Sequence, residues 1–270
     1  MTCIAYGTFD GVHKGHRAIA EKLAQIARER DLFSIIVTVP KEKEYLTSEK
    51  EKEFLLGQTG VDRVISYTGE DNLRMLLEDL EAKVLVVGEN HKNLEQVKED
   101  TKELGVELVI CKLVSEDEEI ITGEMVKQAL LHGNMQRVEK LCGYPYIMCG
   151  TVEHGKGLGK KAGMPTANLK FDKEKLKPAN GVYATTGYLN RRKYRGLTNA
   201  GKRPTVDDFD YTTIETFFLE FEGNLYEKEI LIEFQKYIRD IRKFDDLSQV
   251  QAQIQKDIEV AYSIFKTDMV

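Results

Sequence analysis

The feature that most constrains this chain is a change of hydrophobic period near Gly143. Before it, short apolar runs alternate with stretches whose apolar residues recur at helical spacing; after it, strand periodicity dominates almost to the end. Strands are expected over 3–6, 33–39, 63–67, 83–88 and 106–113. The run at 33–39 is nearly continuous in apolar residues, as a parallel strand buried on both faces requires. Between the strands, Ala18, Ile19, Leu23, Ile26 and Ala27 mark one helix, and residues around 54–56, 72–80 and 94–105 mark others. The segment 41–52 is dense in charge and reads as loop and solvated helix, and 121–142 reads as helix broken at Gly133-Asn134. Alternating strands and helices predict an α/β, doubly wound parallel sheet, whose ligands sit at the carboxyl ends of its strands.

Strands over 146–152, 181–189, 194–198, 214–221 and 229–237 follow with no helix between them, which predicts an antiparallel sheet or small barrel. A terminal helix over 247–265 carries Val250, Ile254, Ile258 and Ala261 on one face. The expected domains are 1–142 and 143–270. A chain of 270 residues is long enough for two cores. With 41% hydrophobic and 31% charged residues it has ordinary globular composition, and no apolar run approaches the roughly 20 residues of a membrane span. The net charge of −6 weighs against a nucleic-acid surface. The start lacks a basic, apolar signal segment, and the four cysteines form no CxxC pair, so the expectation is a cytoplasmic protein with reduced thiols and no membrane partner.

Two stretches carry chemistry. The first, Gly7-Thr8-Phe9-Asp10-Gly11-Val12-His13-Lys14-Gly15-His16, falls between the first strand and first helix. Its glycines let amides approach a phosphate, the helix adds its positive end, and His13 and His16 are spaced to face one anion. The second runs over 155–168, with Gly155, Gly157, Gly159, Lys160, Lys161, Gly163, Pro165, Thr166 and Asn168. It makes poor helix and poor strand and reads as a loop. Free amides and lysines suit polyphosphate, and the oxygens of Thr166 and Asn168 suit a hard metal ion, so an ATP·Mg²⁺ site is expected. It is not a Walker A loop: His154 stands where the first Gly belongs and Lys161 where Ser or Thr belongs.

The first stretch resembles the phosphate-binding signature of nucleotidyltransferases related to class I tRNA synthetases. The second, GxGxGxxxGxPTAN, resembles the ATP·Mg²⁺ loop of riboflavin kinase. Asn180-Gly181-Val182-Tyr183, residues 198–205, Ile214-Glu215-Thr216-Phe217, Leu225-Tyr226 and residues 239–244 follow in that domain's order. The whole chain thus resembles the bacterial bifunctional riboflavin kinase/FAD synthetase family. The resemblance implies a nucleotidyltransferase-like N-terminal domain and a C-terminal six-stranded Greek-key β-barrel with a terminal helix. It also implies ATP at Gly155, Gly157, Gly159, Lys160, Gly163, Pro165 and Thr166, with Mg²⁺ at Thr166 and Asn168. Glu215 matches the catalytic carboxylate, and Asn199, Arg203, Thr205, Arg239 and Phe244 match the riboflavin and FMN side. Riboflavin, ATP, FMN and ADP are the implied small-molecule partners.

Departures concentrate in the first half. The family's second nucleotide signature resembles Ile-Ser-Ser-Thr-x-Ile-Arg, whereas this chain has Ile121-Thr122-Gly123-Glu124-Met125-Val126-Lys127. Hydroxyl donors are replaced, and Glu124 would face phosphate. A Thr-Phe-x-Pro-His-Pro motif is replaced by Thr38-Val39-Pro40-Lys41, and residues 88–93 offer no aromatic where the family has residues that help hold the flavin ring. In the second half, Glu227 replaces a usual Gly and Ile241 a common acid. The expectation is a riboflavin kinase whose N-terminal nucleotide site, at Gly7, Phe9, Asp10, His13, Gly15 and His16, is degenerate. The fully bifunctional enzyme and a flavin-sensing or RNA-binding regulator are the alternatives.

Overall fold

The computed structural model describes residues 1–68, 73–154, 164–189, 192–202, 212–244 and 246–267. The chain forms two compact units: Met1–Val126 with Leu141–Gly143, and Lys127–Lys140 with Tyr144–Val270.

In the first unit β1 (Thr2–Gly7), β2 (Phe33–Thr38), β3 (Arg63–Ser66), β4 (Ala82–Gly88) and β5 (Glu107–Cys111) form a parallel sheet in the order β3-β2-β1-β4-β5. Helices α1 (Lys14–Arg30), α2 (Glu49–Gly57), α3 (Leu73–Asp79) and α4 (Leu94–Leu104) connect them. Five of the six β2 residues are buried, as its continuous apolar run requires. Helix α1 buries Ala20, Leu23, Ala24, Ile26 and Ala27, the stripe set by its apolar spacing. Strand order reverses between β1 and β4, which makes the carboxyl ends of those strands the crevice of the sheet.

The charge-dense segment that runs into the first turn of α2 corrects one expectation. Glu51 and Lys52 are buried, Lys52 only 1% exposed. Ser48 and Glu51 form a reciprocal capping box, which removes two helix-end donors from the need for water. The Lys52 ammonium is 2.6 Å from Glu49, whose other oxygen accepts from Thr38. Pairing within the chain replaces solvation. A small hairpin, β6 (Ser115–Glu116) with β7 (Glu119–Ile120), was not apparent from periodicity because two residues carry none.

Helices α5 (Gly123–Leu131) and α6 (Met135–Cys142) break at Gly133-Asn134, where Gly133 takes φ +71°. The second unit then closes β8 (Tyr146–Glu153), β9 (Ala167–Lys170), β10 (Gly181–Leu189), β11 (Arg192–Lys202), β12 (Thr212–Phe218) and β13 (Glu229–Arg239) into an antiparallel barrel, order β10-β11-β12-β9-β8-β13. The meander of β10, β11 and β12 is sealed on one side by β9 and on the other by β13, giving the Greek-key path. Strand β9 is the sixth strand, and it corrects the reading of 155–168 as loop to its end, because Ala167 and Asn168 already pair in the sheet.

Inward positions include the fully buried Tyr183, Met148, Ile214 and Phe234, with Tyr183 and Phe234 edge to face at 5.4 Å. Thr185, Thr198 and Thr216 are also fully buried, and their hydroxyls form a chain with 2.8 and 2.7 Å links. Helix α7 (Leu247–Thr267) covers the outer face at Val182, Ala184 and Leu197 with Ala261 and Phe265. Among the described residues no helix is long and apolar enough to cross a membrane.

Candidate active site

Register in the barrel assembles one row of polar residues. Asn168 of β9 lies opposite Glu215 of β12, and Glu215 lies opposite Asn199 of β11. Each is half-buried and alternates with buried inward residues, Ala167 and Leu169, Ile214 and Thr216, Thr198 and Ala200, so all three side chains leave the outer face. Cross-strand neighbours of this kind stand about 5 Å apart at Cβ. Thr166, also half-buried, is the second residue before Asn168 and precedes the strand; Pro165 is exposed.

Two residues of the row escaped sequence reasoning. Thr213, two positions before Glu215 and on its face, places its hydroxyl 3.5 Å from Glu215 Oε1 and 3.2 Å from the Gly201 carbonyl. Glu153 lies opposite Asn168 on the other side, and its carboxylate is 2.6 Å from Lys170. The strand period of two around Glu215 would have found Thr213; nothing local points to Glu153.

Arg239 continues the row through Val182, which pairs with both Asn199 and Arg239. Its guanidinium, however, is committed to α7: Nε donates to Asp257 Oδ1 at 2.8 Å and Nη2 to Oδ2 at 2.6 Å, and Nη1 donates to the Asp240 carbonyl. Gln253 donates to the same carboxylate at 2.9 Å. Phe244 is half-buried, beyond the end of β13. Gly155, Gly157, Gly159, Lys160, Gly163, Arg203 and Thr205 lie outside the described residues.

The other signature forms the turn between β1 and α1. Phe9, Gly11 and Val12 take φ of +47°, +81° and +36°, so the turn is built in the left-handed region. Asp10 holds it from below, accepting from the Leu46 and Thr47 amides at 2.7 and 3.1 Å, while the Gly11 amide donates to Thr47 Oγ1. His13 and His16 stack with centroids 3.8 Å apart, and Phe9 lies 5.3 Å from His16. Burial pushes His13 down to about 4 against the pull of Asp10, and burial, His13 and Lys52 together hold His16 well below its usual range. Both rings are therefore neutral at pH 7, and each keeps a buried Nδ1 with no hydrogen-bond partner.

Two lysines beside the turn are already paired. Lys14 is 2.7 Å from Glu116 and Lys41 is 3.5 Å from Asp10. Gly123, at the start of α5, faces the Asp10 carbonyl, and the exposed Glu124 occupies the first turn of that helix. His91, beyond β4, turns its ring toward Tyr6 at 6.4 Å, also with an unpartnered buried Nδ1. This corrects the expectation that residues 88–93 offer no aromatic: an imidazole stands beyond the end of this strand.

The riboflavin kinase family model matches residues 142–265, and the FAD synthetase family model matches residues 1–125. The bifunctional riboflavin kinase/FMN adenylyltransferase of Haemophilus influenzae is 28% identical over 292 residues, covering 98% of this chain and 94% of that protein. The chain belongs to this bifunctional riboflavin kinase/FMN adenylyltransferase family. The family's member in Escherichia coli (strain K12) is 29% identical, over 97% of this chain and 92% of its own length. A solved structure described as a macrolide-efflux protein from Streptococcus pneumoniae aligns at TM-score 0.82 and 26% identity, covering 97% of this chain and 94% of that one. That description belongs to the other protein; the likeness here is one of fold along the whole chain.

Proposed function

We propose that the protein is a riboflavin kinase, transferring the γ-phosphoryl of ATP to the ribityl 5′-hydroxyl of riboflavin to give FMN and ADP. In this reading its N-terminal half, residues 1–142, is a degenerate adenylyltransferase module with FAD synthesis weak or lost, and 143–270 is the kinase domain. The observation that carries the kinase reading is the register that sets Asn168 opposite Glu215 on one outward face. Phosphoryl transfer needs held phosphates, neutralised charge and an oriented hydroxyl within a few ångströms of one another. The hydroxyl of Thr166 and the carboxamide oxygen of Asn168 are hard, neutral donors that fit Mg²⁺. When bound, that ion supplies neutralisation of the charge developing on the transferred phosphoryl.

Glu215 orients the 5′-hydroxyl and accepts its proton, and a strand interior holds it more rigidly than a loop would. Asn199, next in the row, serves the flavin side together with Arg203, Thr205 and Phe244. Arg239 serves that side indirectly, by tying β13 to α7 through Asp257. Gly155, Gly157, Gly159, Lys160, Gly163 and Pro165 cover the ATP phosphates.

One observation favours the bifunctional reading: the buried, unpartnered Nδ1 atoms of His13 and His16 are what an absent phosphate would leave behind. Against it stand the two paired lysines and Glu124. Incubation with riboflavin, ATP and Mg²⁺, with the flavins resolved by chromatography, separates the readings. FMN alone is expected. FAD beside FMN would establish the bifunctional enzyme, and no product would point to a flavin-sensing or RNA-binding regulator.

A further inference from the structure

Thr213 stands between two acceptors on the outer face of the barrel. Its hydroxyl is 3.5 Å from Glu215 Oε1 and 3.2 Å from the carbonyl of Gly201, its partner across β11 and β12. Both separations exceed the roughly 2.7–2.8 Å of a full O–H···O bond, so neither acceptor holds the single hydroxyl proton completely. The strand period puts Thr213 and Glu215 on one face, and a β-branched side chain is stiff at χ1, so the hydroxyl has few other directions. An apolar side chain covers the same end of the row. A Cβ on Gly201 would collide with Ile241 Cδ1 and lie 3.8 Å from Asn199 Oδ1, so Ile241 rests directly on the glycine, on the face that Asn199 shares. Only glycine leaves room for that contact. The Ile241 side chain brings neither charge nor acceptor, so it adds no rival for the Thr213 proton.

We propose that Thr213 is the positioning residue of Glu215: its hydroxyl donates to Oε1 and sets the orientation in which the carboxylate meets the 5′-hydroxyl of riboflavin. This rests on the kinase reading, in which Glu215 accepts that hydroxyl's proton. Hydrogen bonds to an ionised carboxylate are stronger than those to a neutral carbonyl, so an ionised Glu215 draws the Thr213 proton away from Gly201. As the 5′-oxygen bonds to the γ-phosphorus and the bond from phosphorus to ADP breaks, the 5′-hydroxyl proton passes to Glu215, and the advantage of the charge is gone. Thr213 then donates to the Gly201 carbonyl, so its hydroxyl has an acceptor in both states. It keeps its own proton throughout; only the acceptor of its bond changes. Phosphoryl transfer leaves the protein little covalent chemistry to do, so its rate rests on positioned groups, and a misplacement of about 1 Å can cost roughly a hundredfold. A hydroxyl fixed in β12 therefore acts on kcat through Glu215 and leaves the binding of either substrate alone.

Steady-state phosphorylation of riboflavin by the full chain tests this with Thr213→Val and Thr213→Ser, alone and combined with Glu215→Gln, each checked for native unfolding behaviour. Thr213→Val, which keeps the shape and removes the donor, is expected to lower kcat about tenfold, with KM for ATP and for riboflavin within about twofold. Thr213→Ser restores the hydroxyl and should lose less than about threefold. In the Glu215→Gln background the same Thr213→Val change should lower the remaining rate less than about twofold, because the residue it positions no longer takes a proton. Thr213→Ala replaces the valine variant should that one not fold. The inference is overturned if kcat of Thr213→Val stays within twofold of wild type, if Thr213→Ser falls as far as Thr213→Val, if either KM carries the loss, or if the tenfold loss persists beside Glu215→Gln. Those outcomes leave the kinase reading standing. Wild-type protein that makes no FMN would overturn the kinase reading and this inference together.

Discussion

The turn between β1 and α1 and the row on the barrel reach a polar concentration by opposite routes. The turn is local: ten consecutive residues bring Gly7, Asp10, His13 and His16 together, and the surroundings then occupy almost every charge. Asp10 is spent on the Leu46 and Thr47 amides, Lys14 on Glu116, and both imidazoles are held neutral. The row is distant in sequence and assembled by strand pairing, and its side chains leave the outer face of the barrel. The charges of the turn are therefore set by the residues packed around it. The juxtaposition in the row depends on register, and a shift of one residue would turn its side chains to the other face.

The largest effect expected is at the row. Glu215→Gln should lower turnover by roughly 10²–10⁴-fold while ATP binding, followed by calorimetry, stays close to wild type. A variant of near-normal rate would remove the row's claim to the chemistry. Next comes the anchor behind it. Asp257→Ala leaves the largely buried Arg239 guanidinium without its partner, which should cost about 3 kcal/mol in urea unfolding of the barrel. A loss below about 1 kcal/mol would show that the pair is solvent-screened.

Acid should distinguish the two regions. His13 falls from its ordinary 6.5 to about 4 in the folded unit, so below pH 6.5 the unfolded chain binds the proton that the folded unit refuses. Stability of the N-terminal unit is therefore greatest above pH 6.5 and is lost as pH falls toward 4, by up to roughly 3 kcal/mol from this ring alone. His16 acts in the same direction. Hydrogen exchange in β1 and α1 at pH 7 and pH 5 measures it, and an unchanged opening free energy would mean that the rings are not held neutral. The smallest change expected is at α5. Gly123→Ser with Glu124→Ser removes one charge near the turn, worth about 1 kcal/mol per pair, and should strengthen nucleotide binding there about fivefold. No change on titration with ATP would show that Glu124 does not oppose nucleotide at the turn.

Periodicity carried most of the architecture. The parallel sheet follows from apolar runs such as 33–39 between helical stripes, and the terminal helix from Val250, Ile254, Ile258 and Ala261. Strand β9 was hidden because four residues behind Pro165 are too few to show alternation. Burial of Lys52 was hidden because a charged run looks the same whether water or Glu49 answers it. The likeness of the motifs indicated Asn168 and Glu215 as functional residues, but their direct opposition comes from register, a property of two strands together. Arg239 was marked by its motif alone, and the fold adds a partner on the terminal helix that no motif announces.

The buried hydroxyl chain of Thr185, Thr198 and Thr216 has an evolutionary consequence. Replacing the middle threonine by valine would orphan both neighbours at once, whereas replacing all three by apolar residues of like shape would leave no unmet donor or acceptor. The positions are therefore epistatic: a drift path through the centre passes a destabilised intermediate, and a path that begins at either end does less harm. Because Thr216 adjoins Glu215 on β12, the interior of this barrel constrains the order in which its outer face can evolve.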